Sequence, residues 1–299
     1  MEFEARMGLR GAAGYGAVAV FWASFFALYT LSVQSLGIPL AAALFGLCGG
    51  LFLLGFAKAV GRKISQPPSW NAVVYWALFG WTILISISLA MRMTGAAVTA
   101  ILVSSLPLFA TVFAQMRGQA RVTGVGAISL LFGISGLVLV GGFPAGDASL
   151  PWFTGVVAAL IAAVSAGWCG RPLVNRLHKE QSVQTAGLAS ILGGVTVLGA
   201  VPLVDPPTAA AQLMPVVVVL ALCFAFLALF SLSSASNGVS ARIAGTLPGV
   251  GTVLTVVAGI VFLHERVSVA QIIGMVLILA STAMLRGLVP RWFPTSWRA

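Results

Sequence analysis

Two prolines inside long apolar runs mark where this sequence could bind a polar molecule. Pro107 and Pro248 each follow a leucine, with Ser104 and Ser105 before the first pair and Thr246 before the second. Because proline has no backbone N–H, each one leaves a carbonyl one helical turn earlier without its usual donor. We predict that Ser104, Pro107 and Pro248 contact a substrate. The alternative is that both prolines only kink their helices, with the hydroxyl side chains satisfying the carbonyls.

Four aromatic side chains are the second group of candidates. Trp22 and Tyr29 share helical spacing in the first apolar run, while Phe79 and Trp168 lie in the third and sixth. Aromatic walls bind flat apolar or cationic ligands by stacking and cation–π contact. We predict that these four line a binding cavity. The alternative for the tryptophans is that they anchor the membrane interface, a common role near span ends.

Asn237 ends a polar cluster that closes the eighth apolar run. Ser231 and Ser234 share one helical face, and Asn237 extends that face by another turn. Such groups hydrogen-bond the amino and carboxyl groups of a substrate, or they hold neighbouring helices together. We include Asn237 among the predicted binding residues, although helix association is the commoner role of any single hydroxyl in such a cluster.

No acidic or histidine side chain occurs in the middle of an apolar run. The acids are Glu2, Glu4, Asp147, Glu180, Asp205 and Glu265, all in termini or loops. Proton-coupled transporters commonly carry such a group within the membrane, so the sequence favours facilitated transport or exchange. Catalysis would need a nucleophile and base, or clustered metal-binding acids. We therefore predict no enzyme activity, no cofactor and no metal site.

The composition is that of an integral membrane protein. Hydrophobic residues make up 60% of the chain and charged residues only 7%, against about 25% charged in soluble domains. Runs long enough to cross about 30 Å of hydrocarbon as helices are predicted at 12–33, 39–58, 71–91, 95–116, 122–142, 151–171, 183–204, 214–236, 243–263 and 267–286. They are continuous and about twice as long as the strands of a membrane barrel, so the predicted fold is all-α with ten transmembrane helices.

The cations predict the orientation. With a cytoplasmic N-terminus and ten spans, all of the 16 Lys and Arg residues except Arg92 and Arg266 fall on the cytoplasmic side. This is the bias expected of inner-membrane proteins, and both termini are then cytoplasmic. The net charge of +10 is explained by the same bias, so we do not expect a nucleic-acid partner.

The sequence contains a repeat. Leu106-Pro107 aligns with Leu247-Pro248, and Arg121-Val122 with Arg266-Val267. Each copy holds five predicted spans, so the second copy enters the membrane from the opposite face. We predict two inverted-topology repeats, residues 1–148 and 149–299, with the binding site where they meet.

The segment from Ser234 to Ser281 resembles the repeat module of the drug/metabolite transporter superfamily. The resemblance rests on the small polar residues that close one helix, Leu247-Pro248 in the next, His264-Glu265-Arg266 at the hairpin and Gln271-Ile272-Ile273-Gly274 in the last span. Length, span number and aromatic content are similar to those of bacterial aromatic amino acid exporters, which also confer methyl viologen tolerance. The first copy departs from the pattern, with Ala120 at the position of the hairpin glutamate, so we expect Glu265 to brace a hairpin.

These observations and the resemblance together predict an inner-membrane exporter of aromatic and other neutral amino acids, or of flat cations, working by alternating access. Its partners would be the small substrate and the lipid bilayer, and it would be a monomer or weak dimer. A transporter of phosphorylated or nucleotide-linked sugars is disfavoured because the arginines lie at span ends. A lipid-modifying enzyme is disfavoured by the missing acid cluster, and a channel by the inverted repeat.

Overall fold

The computed structural model describes residues 9–59, 70–118, 123–146, 148–177, 182–199 and 241–285. These residues are almost entirely helical. The helices are α1 (Leu9–Leu36), α2 (Ile38–Ala59), α3 (Trp70–Val103), α4 (Leu106–Met116), α5 (Gly124–Gly142), α6 (Leu150–Leu177), α7 (Ser182–Leu198), α8 (Ala241–Phe262) and α9 (Val269–Leu285). The predicted eighth span, 214–236, lies outside the described residues, as does Asn237.

The third and fourth predicted spans differ from a simple pair of helices. Helix α3 runs through the turn between them, and only Gly95 departs from helical geometry, with φ 86° and ψ 176°. That combination is essentially restricted to glycine, which has no Cβ to collide with its own backbone. The fourth span then breaks near its middle, between Val103 and Leu106, so α4 forms only its second part.

Helices α2 and α7 pack backbone to backbone in antiparallel orientation. A side chain at Gly50 would collide with the backbone of Gly187, and one at Gly194 would collide with that of Ala43. The residue numbers rise along one helix as they fall along the other, which is the signature of antiparallel packing. These are the second helices of the two halves of the chain, so the halves enter the membrane in opposite directions.

Helices α5 and α9 repeat this arrangement. Gly136 and Gly274 lie against each other's carbonyl oxygens, with no space for a side chain on either. Nearer the other end of the pair, the Ser281 hydroxyl donates to the Ser129 carbonyl over 2.5 Å. Small residues at such interfaces allow helix backbones to approach closely, because packing and polar contacts drive association in lipid.

The remaining large contacts also join the two halves. Helix α6 packs along α3 and α4, and α1 packs along α8. The packing is close in both places. A side chain at Gly167 of α6 would collide with the backbone at Phe109 of α4, and the Trp22 ring covers Gly251 of α8. We call α3, α4 and α6 the first helix group and α1 and α8 the second; the two groups are in contact, since α3 also packs against α1 and α8.

Several described helices are long and apolar enough to cross a membrane by length and composition. The stretches of 18 residues or more are Ile38–Gly55, Val73–Val103, Gly124–Gly142 and Leu150–Trp168. Shorter apolar helices continue the pattern at Leu106–Met116, Gly187–Leu198, Gly249–Phe262 and Val269–Leu285. The structure is therefore an all-helical, multi-pass membrane fold built from two inverted halves, as predicted.

Candidate functional site

The interruption between α3 and α4 provides backbone polar groups in the middle of a span. Leu106 and Pro107 open α4, and Ser105 precedes them with helical φ and ψ of −75° and −4°. The Leu108 N–H donates to the Ser105 carbonyl over 2.9 Å. This bond spans three residues and so makes a tighter turn than an α-helix does. Since Pro107 has no N–H, it cannot donate to the carbonyl of Val103. The carbonyl end of α3 and the amide end of α4 therefore meet at this helix break.

The two serines at the break satisfy carbonyls of their own helix. Ser104 Oγ donates to the Ile101 carbonyl over 2.6 Å, and Ser105 Oγ donates to the Leu102 carbonyl over 2.5 Å. Both serines are buried. Their hydroxyls thus replace part of the hydrogen bonding that α3 loses at its end, as the kink alternative requires. Neither bond is to the Val103 carbonyl.

An aromatic cluster belongs to the core that includes the end of α3. Trp22 lies 5.4 Å from Phe26 between ring centroids, and Phe25 is stacked on Tyr29 at 5.3 Å. Phe45 of α2 completes the cluster, 5.8 Å from Phe25 and 5.6 Å from Tyr29. The role of Phe45 was not predicted from the sequence, because a single aromatic residue in an apolar run is the only signal there.

The helix break and the aromatic cluster belong to one packed core. Val103, the last residue of α3, shares a cluster of buried side chains with Phe26 and Tyr29, and Trp22 is packed against its edge. Two of the predicted aromatic residues, Trp22 and Tyr29, therefore lie in the same core as the predicted break at Ser104 and Pro107.

Tyr29 is fixed in place by a hydroxyl pair. It is 1% exposed, and its hydroxyl lies 2.9 Å from Ser88 Oγ. Ser88 Oγ also lies 2.7 Å from the Leu84 carbonyl, to which it donates. Since a serine hydroxyl has one proton, Tyr29 is the donor to Ser88. This bond joins α1 to α3, and so joins the two helix groups.

Trp168 occupies a different position. It is 42% exposed, and the Phe113 ring meets it edge-on at 5.0 Å. The guanidinium carbon of Arg117 lies 4.2 Å above its ring centroid, and Nη2 donates to the Trp168 carbonyl over 3.2 Å. These contacts hold Trp168 against the last turn of α4. No described contact brings it to Tyr29, with which it was predicted to line one cavity.

The other predicted site residues lie apart from this core or beyond description. Phe79 is half-buried on α3, with its ring 4.5 Å from Tyr75. Pro248 lies within the helical backbone of α8. Asn237 lies outside the described residues, and its binding role stays a prediction.

The Glu265 carboxylate accepts two backbone hydrogen bonds from α3. Its Oε1 accepts from the Ala96 N–H over 2.6 Å, and its Oε2 accepts from the Ala97 N–H over 2.8 Å. These amides open the helical segment after Gly95, where a carboxylate is favoured by the helix dipole. The sequence predicted that Glu265 braces a hairpin, but it did not predict that the partner lies in the other half of the chain.

The described residues contain no group of three His, Cys, Asp or Glu side chains placed to hold a metal ion.

Comparison with solved structures supports the fold. One crystal structure matches 90% of this chain and 94% of its own, with a TM-score of 0.61 and 21% sequence identity. At that identity the similarity concerns the fold alone. No curated protein matches the sequence significantly.

The family model provides the assignment. The model of the EamA-like transporter family matches the chain twice in succession, at residues 10–142 and 153–287. Each match covers one of the two inverted halves. With nearly the whole length matched, this chain belongs to the EamA-like transporter family.

Proposed function

We propose that this transporter exports aromatic and other neutral amino acids by alternating access. The observation that carries the proposal is the helix break at Ser104–Pro107, which directly follows Val103 in the core that also holds the aromatic residues. A zwitterion in a low-dielectric site needs partners for both of its charges. The carbonyl end of α3 suits the ammonium group, and the positive end of α4 suits the carboxylate.

The aromatic residues supply the side-chain specificity of this proposed site. Trp22 is half-buried at the edge of the cluster, next to Phe25 and Phe26. A flat apolar side chain would stack there, at separations similar to those among the rings themselves. We propose substrate contact at this core for Trp22, Tyr29, Ser104 and Pro107. Phe79, Trp168, Asn237 and Pro248, which are not placed at this core, remain predicted contacts from the sequence.

Flat organic cations are a second candidate substrate class, favoured by one contact. Arg117 lies over the Trp168 ring at 4.2 Å, and so a planar cation already fits this ring face. An organic dication such as methyl viologen would use the same attraction. Phosphorylated or nucleotide-linked sugars remain the less favoured class, because they need cations deep in a cavity.

The proposal includes a location and an orientation. We place the protein in a bacterial inner membrane with both termini in the cytoplasm, because all cations except Arg92 and Arg266 then face inward. The boundary between the two repeats would fall between residues 148 and 149 of the chain. We expect transport to be facilitative or by exchange, in a monomer or weak dimer.

Purified protein in liposomes tests the function. Vesicles would be offered labelled Phe, Trp, Thr, methyl viologen and a sugar phosphate, with and without a pH gradient. We expect saturable uptake of Phe and Trp without a gradient, and competition between the two. Uptake of the sugar phosphate alone would refute the amino acid proposal. Strict dependence on a proton gradient would refute the facilitative mechanism.

A further inference from the structure

Glu265 connects the two helix groups at one end of the bundle. Its carboxylate belongs to the loop after α8, while the amides of Ala96 and Ala97 belong to α3. The partners are 169 and 168 residues apart along the chain. We call the end that contains Gly95, Phe143 and Glu265 the Glu265 end.

Backbone hydrogen bonds attach Glu265 to the end of α8. The Gly259 carbonyl accepts from both the Leu263 N–H, at 3.1 Å, and the Glu265 N–H, at 3.0 Å. His264 between them has a φ of 54°, which reverses the chain at the end of α8. The backbone of Glu265 is thus held by the last turn of α8, so the carboxylate reaches α3 from a fixed point on α8.

Two glycines provide the space for the carboxylate. A Cβ on Gly95 would lie 2.6 Å from Glu265 Oε1, and one on Gly259 would lie 2.8 Å from Oε2. Gly95 belongs to one helix group and Gly259 to the other. The contact therefore requires both helices to be in their present relative position.

The amides of Ala96 and Ala97 are the only partners described for this carboxylate. Arg92 and Arg266 nearby are exposed, and neither forms an ion pair with it among the described residues. Charge-assisted bonds to backbone amides are short-range and directional. The stabilisation is consequently lost as soon as the two helix groups separate at this end.

We propose that Glu265 is a latch that holds the Glu265 end of the transporter closed, and that it releases when the substrate path opens there. This inference rests on the proposed alternating-access function, in which the Glu265 end faces outward. The Tyr29–Ser88 bond joins the same two groups. Separation of the two groups would therefore break both contacts.

The glutamate of the latch occurs in only one repeat of the sequence. In the first repeat, Ala120 takes the position of Glu265, so that repeat has no carboxylate at the corresponding position. The free transporter should therefore rest closed at the Glu265 end. Loss of charge-assisted bonds of this kind should shift the open-to-closed ratio about tenfold or more.

Distance measurement between spin labels tests the latch without any substrate. Labels at Leu150→Cys on α6 and Phe262→Cys on α8 report the separation of the two groups, in a background with the native cysteines replaced by serine. Both positions are exposed. We expect one short distance in the parent protein and an added longer population in Glu265→Gln.

Two further variants make the result specific. Gly259→Ala keeps the carboxylate but displaces it, and should produce the same longer population. Ser268→Ala removes the hydrogen bond from the same hairpin to the Phe143 carbonyl. That bond lies in the α5–α9 pair, so this variant should not produce the longer population. If Glu265→Gln fails to fold, Gly259→Ala carries the test.

The inference fails if Glu265→Gln and Gly259→Ala lower thermal stability while the distance distribution stays unchanged. Glu265 would then be a static helix cap. An unchanged distribution alone refutes the latch, whereas failed amino acid uptake alone refutes only the proposed substrate. The two proposals can therefore be judged separately.

Discussion

The Tyr29 hydroxyl donates to Ser88 Oγ over 2.9 Å, between residues 59 positions apart in the chain. Both side chains are buried, so the pair lies where water cannot replace either partner. A buried neutral hydrogen bond of this kind contributes about 0.5–1.5 kcal/mol. It also fixes the edge of the aromatic cluster relative to α3.

Replacing Tyr29 with Phe should therefore lower the unfolding free energy by about 1 kcal/mol and leave the ring packing intact. The melting temperature in detergent would measure the loss. A double-mutant cycle with Ser88→Ala separates this bond from other contacts of Tyr29. A coupling energy near zero would show that the two hydroxyls do not stabilise each other.

Replacing Gly50 with Ala should destabilise the α2–α7 pair. The new methyl group would collide with the backbone of Gly187, and overpacking of this kind costs about 1–3 kcal/mol. Gly55→Ala is the matched control on the same helix, since a Cβ there meets nothing within 4 Å. That variant should be neutral or slightly stabilised. Equal melting temperatures for the two variants would contradict the close packing.

Replacing Pro107 with Ala should reduce transport without reducing stability. Alanine restores an N–H that can pair with the Val103 carbonyl, so the freed acceptor in the proposed site disappears. Pro151→Ala is the control, because Pro151 lies in the first turn of α6, where an N–H has no intrahelical acceptor. Uptake by the Pro107→Ala variant at the parent rate would remove the helix break from the substrate site.

Replacing Trp168 with Ala should weaken transport of aromatic substrates while expression is retained. The substitution removes the ring surface below Arg117 and the edge contact with Phe113. Trp168→Phe should recover part of the activity through the remaining ring. Trp70→Ala, at an exposed helix start, is the control for a simple membrane anchor. A similar small effect of both alanine variants would favour the anchoring role for Trp168.

Much of the fold was predictable because its signals are local. Span lengths follow from hydrocarbon thickness, and the interruption before Pro107 follows from the missing N–H. The predicted fourth span nevertheless appears as two pieces, because Ser104 and Ser105 turn the chain there. A hydropathy run cannot distinguish a broken helix from a continuous one.

The site was predictable only in part because its contacts are non-local. Trp22 and Tyr29 were expected from their helical spacing, but Phe45 joins them from another helix. Glu265 accepts hydrogen bonds from the Ala96 and Ala97 amides, and these bonds depend on how the two halves pack. The sequence contained a single signal of this contact, namely a hairpin glutamate that is present in only one repeat.

The glycine contacts of α2 with α7 and of α5 with α9 have a mechanical consequence. Gly50 lies on Gly187, and Gly136 lies on Gly274, with no side chain between the backbones. We expect these two close-packed helix pairs to stay together while the remaining helices tilt around them. Substitutions that place a larger side chain in either glycine contact should therefore lower the kcat of transport and leave the KM for the substrate almost unchanged.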